Sequence, residues 1–258
     1  MYLGVAKNVD VSNEAQLHVA AGMDSHITLT DDITLSKQLT INAGRTVTID
    51  LNGHKLQRNE TEYGLNNMVI QNSGTLTIDD GSGTNSGQIT GGRATYGGGI
   101  CCEAGSTLTF NGGTITDNMA SNAGGGIYVK DGATATVTSG VITGNTATSN
   151  GGGIYDEGTL NMQGIPIVSD NHNGTALNNV YLPAGKVVNV TGAFTTGANI
   201  GISAASTNVA ITSGYKKYNA GKDPATVFTD DNEDDDAKIT LIDSEVYLTS
   251  TKDVKVST

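Results

Sequence analysis

The amino-acid sequence predicts an all-β fold, a parallel β-helix (solenoid) with a short N-terminal capping helix. A glycine phrase returns as GGGICC at 97–102, GGGIYV at 124–129 and GGGIYD at 151–156, so Ile100, Ile127 and Ile154 are 27 residues apart. The segments TLTFNGGTITDN at 107–118 and TATVTSGVITGN at 134–145 repeat with the same offset. Short strand-like runs separated by glycine turns at such a period are typical of coils that stack on one another.

The N-terminal residues predict a helix that covers the first coil. Ser12 is the expected N-cap, residues 13–21 form the helical run, and Gly22 ends it. Alternating strand runs follow at 26–29, 33–35, 39–41 and 46–51. Because an open solenoid end exposes unpaired strand edges and apolar core, the helix is expected to act as a plug.

Three inward-facing sites per turn are expected from about residue 68 to residue 190. Alternate residues of a strand face the same side, so apolar residues that recur once per repeat mark the interior. The expected residues are Leu76/Ile78, Leu108/Phe110, Ala135/Val137, Leu160/Met162 and Val188/Val190 for the first site, Ile89, Ile115, Ile142 and Ile167 for the second, and Ile100, Ile127, Ile154 and Val180 for the third.

Asparagines in register predict a ladder along the coils. Asn118, Asn145 and Asn171 are 27 and then 26 residues apart, and stacked asparagines exchange amide hydrogen bonds between layers. From residue 193 onward the repeat fades. We interpret the chain as a single domain over 1–258, with an N-terminal cap at 1–25, coils at 26–192, and last coils with a C-terminal cap at 193–258.

The composition excludes several classes of partner. The net charge of the 258 residues is -12, which argues against nucleic acid and anionic membranes, because phosphate binding needs clustered lysine and arginine. Cys101 and Cys102 are adjacent, so they face opposite sides of a strand, and neither a disulfide framework nor a zinc site is expected. No transmembrane run or secretory signal is visible, so the chain is expected to be either intracellular or an excised piece of a larger protein.

The repeat GGGIY…GTL…GG.ITGN.A resembles that of right-handed parallel β-helix (pectin lyase-like) modules in large bacterial cell-surface, adhesin-like proteins. The stretch ITLTDDITLSKQLTINAGRTVTIDLNGHKL at 27–56 is similar to their first coils, and GANIGISAA with VFTDDNEDDDAKITLIDSEVYL is similar to their terminal coils. The resemblance implies a right-handed solenoid. It also implies that the native protein is secreted, that it lies at the cell surface, and that this chain is one module of it.

Enzymes of this fold cleave acidic polysaccharides, and they need several carboxylates and a base grouped across neighbouring coils. Asp79-Asp80 and Gly53-His54-Lys55 come in the wrong order for the hydrolase pattern, and both are interpreted as turns. The acids on the regular coils have few basic neighbours in register; they are Asp156, Glu157 and Asp170, with Lys130 one coil from Glu157. No catalytic residue is therefore assigned.

Tyr128, Tyr155 and Tyr181 are the candidate ligand-binding residues. They are spaced 27 and 26 residues apart, and each follows an inward isoleucine or valine, so each is expected to point outward in a stacked column. Aromatic rings are common platforms for sugars, which makes the column a candidate glycan surface. The alternative is that the stacked rings only stabilise neighbouring coils.

Asp230, Asn232 and Asp234 are a candidate metal site. Their D-x-N-x-D spacing matches the start of an EF-hand loop, but Asp235 stands where the loop needs glycine and Leu241 where it needs glutamate. No cofactor is expected, with a structural calcium as the alternative to a solvated acidic loop.

Threonines also line up in the repeat. Thr90, Thr116 and Thr143 are in register, with Thr109 and Thr138 near them. Regular threonine arrays on a flat β-helix are typical of ice-binding proteins. Asparagine, glutamine and serine interrupt this one, so no sustained Thr-x-Thr pattern is expected on one face, and β-propensity explains the threonines.

The sequence therefore favours a non-enzymatic module of a secreted bacterial surface protein that acts as a rigid spacer, an adhesin or both. Its expected partners are host or cell-wall glycans or surface proteins, and it is expected to be monomeric and not inserted in a membrane. Two alternatives stay open. One is a polysaccharide lyase or glycoside hydrolase of the pectin lyase-like fold, and the other is a phage or secreted fibre component.

Overall fold

The chain winds into a right-handed solenoid of about seven turns, in which parallel strands of successive coils stack along one axis. The computed structural model describes residues 7–59, 62–65, 67–232 and 237–250. In this part of the chain, no helix combines the length and the apolar character needed to cross a bilayer. The parallel β-helix predicted from the 27-residue repeat is confirmed.

The first face of the solenoid is a nine-stranded parallel sheet. Alternate side chains of each strand enter the core, and the others face outward. Its strands are Lys7–Val11, Ser25–Leu29, Thr46–Asp50, Thr75–Asp79, Thr107–Phe110, Thr134–Val137, Thr159–Gly164, Val188–Phe194 and Thr212–Ser213.

The second and third faces belong to one larger sheet, because the strand Asn199–Ala204 continues both of them. Ile200 of this strand pairs with Val168 of the second face, and Ile202 pairs with Val180 of the third. The second face comprises Ile33–Leu35, Lys55–Arg58, Gln88–Thr90, Thr114–Thr116, Val141–Thr143 and Ile167–Val168, and the third comprises Leu39–Ile41, Ile70–Asn72, Ile100–Cys102, Ile127–Val129, Ile154–Asp156, Val180–Leu182 and Phe228–Asp230.

One continuous apolar core lies between the three faces. Ile100 pairs directly with Ile127, and Ile127 with Ile154, so the predicted column of isoleucines is confirmed and fully buried. The second-face column differs at one position. Val168, and not Ile167, pairs with Ile142 and enters the core, so the prediction for Ile167 is wrong.

A helix closes the N-terminal end of the core, as predicted. It spans Glu14–Ala21 and buries Leu17, Ala20 and Ala21. The N-cap is Asn13 rather than Ser12, since the Asn13 side chain accepts a hydrogen bond from the Gln16 backbone at 3.1 Å. The strand Lys7–Val11, within the segment expected to be only a cap, extends the first face before the helix.

Each central coil carries a further strand that the sequence does not reveal. These strands form a side sheet outside the three faces, and their buried residues are alanines. Its members are Arg93–Tyr96, Met119–Ala123, Thr146–Ala147, His172–Asn173 and Ala176–Leu177, the last two being antiparallel.

The C-terminal end is closed by short elements around an antiparallel sheet. Tyr215 and Phe228 are buried there and pack ring against ring, with centroids 6.1 Å apart. The elements are the strands Val209–Ala210, Ala237–Ile242 and Glu245–Ser250, the helix Tyr215–Tyr218 and the 3-10 turn Pro224–Thr226. The division into cap, coils and cap over 1–258 stays a prediction.

Candidate functional site

The glycine triplets bring the side sheet close to the outer side of the third face. Gly124 and Gly151 begin two of the triplets with φ of +69° and +65°, a left-handed conformation that glycine adopts without strain. A Cβ atom at Gly151 would lie 2.5 Å from the Ile154 carbonyl oxygen and 2.7 Å from the Tyr155 Cβ. Only glycine therefore allows the chain to fold back tightly over the tyrosine that follows it.

The three candidate tyrosines stack into the predicted column. The ring centroids of Tyr128 and Tyr155 are 5.6 Å apart at 13°, and those of Tyr155 and Tyr181 are 5.4 Å apart at 12°. Tyr96 of the side sheet extends the column, with its centroid 4.8 Å from that of Tyr128 at a tilt of 44°. The ring faces are therefore directed largely at one another, and the column turns edges and hydroxyl groups outward.

Exposure differs along the column. Tyr128 is only 8% exposed, because it belongs to a small apolar cluster between the third face and the side sheet, with Met68, Ala94, Cys101 and Ala123. Tyr155 packs partly against this cluster, while Tyr181 is half-buried beyond it. Of the three candidates, Tyr155 and Tyr181 are thus the accessible ones, and whether they bind a ligand stays a prediction.

The adjacent cysteines face opposite sides, as predicted from the strand alternation. Cys102 lies in the main core and Cys101 in the small outer cluster, and both are free thiols. Burial raises the pKa of Cys101 to about 12 and that of Cys102 further still. Both thiols are therefore protonated and unreactive at neutral pH.

A row of polar side chains runs beside the tyrosines. Glu103 accepts hydrogen bonds from Lys130 at 2.9 Å and from Gln71 at 3.3 Å. Burial raises the pKa of Glu103, but these two hydrogen bonds outweigh it and hold the pKa below its usual range. Lys130, expected near Glu157, is thus paired with Glu103 on the preceding coil.

Glu157 is engaged by the tyrosine column instead. The Tyr128 hydroxyl donates to the Glu157 carboxylate at 2.5 Å. Burial, together with this hydrogen bond, raises the pKa of Tyr128 well above its ordinary value. Glu157 is therefore bonded to the column, while Glu103, Lys130 and Gln71 form a separate hydrogen-bonded group.

Asp80 and His54 lie in loops, as expected, whereas Asp79 is the last residue of the strand Thr75–Asp79. The Asp80 carboxylate accepts from the backbone of Gly53 at 2.8 Å and of Gly87 at 2.9 Å. Nδ1 of His54 lies 3.4 Å from the Asp32 carboxylate, in a different turn contact. These groups hold loops together and do not form the arrangement of carboxylates and base that polysaccharide cleavage requires.

Of the three candidate calcium residues, the structure describes Asp230 and Asn232, and the site stays a prediction. Asp230 accepts a hydrogen bond from the backbone of Asn232 at 3.0 Å, and Asp231 between them turns inward and is 5% exposed. Asp234 lies outside the described residues. Among the residues that are described, no three His, Cys, Asp or Glu side chains are grouped so as to hold a metal ion.

The asparagine ladder is longer than the sequence predicts. Nδ2 of Asn118 donates to Asn145 at 3.0 Å, Asn145 to Asn171 at 2.9 Å, and Asn171 to Asn179 at 3.0 Å. Asn179 then donates to Asp231 at 2.6 Å. All hydrogen bonds between the side chains of the row run in the same direction, and the last acceptor is the Asp231 carboxylate.

Asp156 is a buried acid that the sequence does not single out. It stands in register with Val129, points into the core and is 1% exposed. Burial raises its pKa from 3.8 to about 6, although Lys186 nearby opposes the shift. An aspartate directly after an outward tyrosine can be recognised as inward from strand alternation alone.

One short segment of this region matches a known family. Residues 139–157 match the Chlamydia polymorphic membrane protein repeat, and the matched stretch includes a second-face strand, the glycine triplet at 151–153 and Tyr155. The segment is shorter than one coil, so it shows that this stretch is similar to the repeat. No curated protein matches the chain, and no solved structure matches it.

Proposed function

We propose that the chain is a non-enzymatic module of a secreted bacterial surface protein, in which it acts as a rigid spacer that holds neighbouring segments apart. The observation that carries the proposal is the unbroken stack of coils around one core, with the asparagine row running along it. About seven turns at a strand spacing of ~4.8 Å give a rod of roughly 30 Å.

The location at the cell surface is supported by the matched repeat, which is named for a Chlamydia membrane protein, and by the resemblance of the GGGIY repeat to bacterial surface modules. The test is labelling of intact cells of the source organism with antibodies against this module. We expect labelling before permeabilisation and its loss when the cell surface is treated with protease. Labelling only after permeabilisation would contradict the proposal.

A second candidate function is glycan binding at the accessible end of the tyrosine column. Tyr155 and Tyr181 are half-buried and stacked, and Tyr155 lies near the Glu157 carboxylate. Rings next to charged hydrogen-bonding groups suit sugar hydroxyls. Host or cell-wall glycans are the proposed ligands. Binding of the purified chain to a glycan array, weakened by Tyr181→Ala and kept by Tyr218→Ala, would support this function.

The enzymatic alternative is tested by incubating the chain with acidic polysaccharides. The appearance of reducing ends or unsaturated products would contradict the spacer proposal. The fibre alternative requires an obligate trimer, which the molar mass in solution decides. For the proposed module we expect a monomer.

A further inference from the structure

The first face carries a two-dimensional array of threonines. Five of its consecutive strands, from Thr46–Asp50 to Thr159–Gly164, pair residue for residue across the positions concerned. Two columns of their outward residues make up the array, Thr46, Thr75, Thr107, Thr134 and Thr159 in one, and Thr48, Thr77, Thr109, Thr136 and Asn161 in the other. The next outward position along the first two of these strands is occupied by Asp50 and Asp79, which border the array on one side. The expectation that no Thr-x-Thr pattern is sustained on one face is therefore wrong, since four successive strands carry it.

Strand formation alone does not explain this uniformity. Nine of the ten positions are threonine and none is charged, in a chain with 26 acidic and 14 basic residues. Valine, isoleucine and tyrosine suit strands equally well. The second face is more mixed, because one outward column there contains Gln88, Thr114, Val141 and Ile167, and only the other column, Gln57, Thr90, Thr116 and Thr143, is rich in threonine.

The hydroxyl groups of the array make almost no hydrogen bonds with the protein. Within the described part of the chain, Thr136 is the one member whose hydroxyl has a protein partner, the Asn161 amide at 3.3 Å. Two threonines outside the array have a protein partner for the hydroxyl. Thr114 donates to the Asn85 carbonyl at 2.8 Å, and Thr138 donates to Asn111 at 2.6 Å.

The array repeats on a rectangular grid. Neighbouring strands are ~4.8 Å apart and alternate residues of one strand ~6.6 Å apart, so the grid extends about 19 Å along the axis. Water oxygens on the prism faces of hexagonal ice lie on rectangular grids of similar size. Threonine methyl groups order the water around them, and the hydroxyls hydrogen-bond to that water at fixed intervals.

We propose that this neutral threonine array is an ice-binding surface, which holds a lattice of ordered water that merges with an ice crystal. The absence of charge within the array fits this ligand, because a charged side chain would orient water about itself and break the lattice. The proposal is independent of the spacer role, which concerns the coil stack and not the outer surface of one face.

The test measures thermal hysteresis and inhibition of ice recrystallisation by the purified chain. The variant Thr109→Lys places a long charged side chain at the middle of the array. The matched control Thr116→Lys makes the same change at a half-buried outward threonine of the second face. Circular dichroism and the melting temperature establish that each variant is folded, and Thr77→Lys replaces Thr109→Lys if the latter does not fold.

We expect the unaltered chain to separate the melting and freezing points and to shape ice crystals. Thr109→Lys should lose this effect, and Thr116→Lys should keep it. Absence of thermal hysteresis in the folded chain, or equal loss in both variants, would overturn the proposal. So would binding to crystalline cellulose or chitin that depends on Thr109 without any effect on ice.

Discussion

Burial of the Asp156 carboxylate lowers the stability of the folded protein. Asn72 occupies the same register in an earlier coil, and its side chain accepts a hydrogen bond from the Gly74 backbone at 3.1 Å. Asp156 is an acid at a similarly buried place, where neither of its carboxylate oxygens finds a well-aligned hydrogen bond. A charged group is disfavoured there because it has left water.

The substitution Asp156→Asn should therefore stabilise the protein at neutral pH. The folded-state pKa of about 6 lies above the unfolded value, so the group favours folding in its protonated form below pH 4, and this contribution is lost as the pH rises through 6. A shift of about two pKa units corresponds to at most about 3 kcal/mol.

Urea unfolding at pH 5 and pH 7.5 measures the effect. The gain in unfolding free energy from Asp156→Asn should be larger at pH 7.5. Asp131→Asn, at an exposed carboxylate, is the control and should change little. An equal effect of Asp156→Asn at both values would contradict the assignment.

Gly174 and Gly151 separate two reasons why a glycine is required, the positive φ of its backbone and the lack of space for a Cβ atom. Gly174 has φ of +59°, and a Cβ atom added there would have nothing within 4 Å, whereas Gly151 has φ of +65° and would place Cβ 2.5 Å from a backbone oxygen. Gly174→Ala should cost about 1 kcal/mol from backbone strain. Gly151→Ala should lower the unfolding free energy several times more. Chemical denaturation measures both losses, and similar values for the two variants would refute a packing role for the triplet.

At the scale of the element, the asparagine row joins the coils one to the next. Asn145 accepts from Asn118 and donates to Asn171 and to the Ile115 carbonyl, so one amide serves three coils. Removing it leaves buried donors and acceptors without partners, and such groups cost more than the net value of the bonds themselves.

We expect Asn145→Ala to lower the unfolding free energy by about 2–4 kcal/mol. Asn122→Ala is the control, since among the described residues its amide bonds only to the exposed hydroxyl of Tyr96, and this change should cost well under half as much. Thermal melts followed by circular dichroism give the comparison. A loss at Asn145 no larger than at Asn122 would show that the row is not stabilising.

The repeat makes the core predictable, but not what lies outside it. Ile100, Ile127 and Ile154 are readable because a large apolar residue recurs at one interval. The side sheet cannot be read from the sequence, because its buried residues Ala94 and Ala120 are small and carry little hydrophobic signal. Asp231 joins the asparagine row from 52 residues beyond Asn179, a separation that no period relates.

The threonine array escapes sequence-based prediction for a different reason. Thr109 and Thr138 lie near Thr90, Thr116 and Thr143 along the chain, but those three belong to another face. Assigning a residue to a face requires knowing where each turn lies, and the turn lengths between strands differ from coil to coil. Once the register is given, the alternation of each strand places every outward residue.

At the scale of the whole molecule, each coil contacts only its neighbours, so the stack should tolerate a change in the number of coils. Deleting residues 124–150 removes one repeat and joins Ala123 to Gly151, the equivalent of its own neighbour Gly124. We expect a folded protein about 4.8 Å shorter, with somewhat lower stability.

Small-angle scattering and circular dichroism check this expectation. Deleting residues 124–136, about half a repeat, is the control and should abolish cooperative folding, because inward and outward residues no longer match between coils. If both deletions behave alike, stacking in register does not hold the molecule together.

The common direction of the asparagine amides has a consequence for how such a molecule can be shortened in evolution. Each side-chain amide donates a hydrogen bond to the next residue of the row, so the last amide needs an acceptor beyond it. The Asp231 carboxylate is that acceptor. A shortened protein without the last coils would leave the final amide buried with no acceptor. Such a truncation is therefore tolerated only when another residue at the new C-terminal end accepts this hydrogen bond.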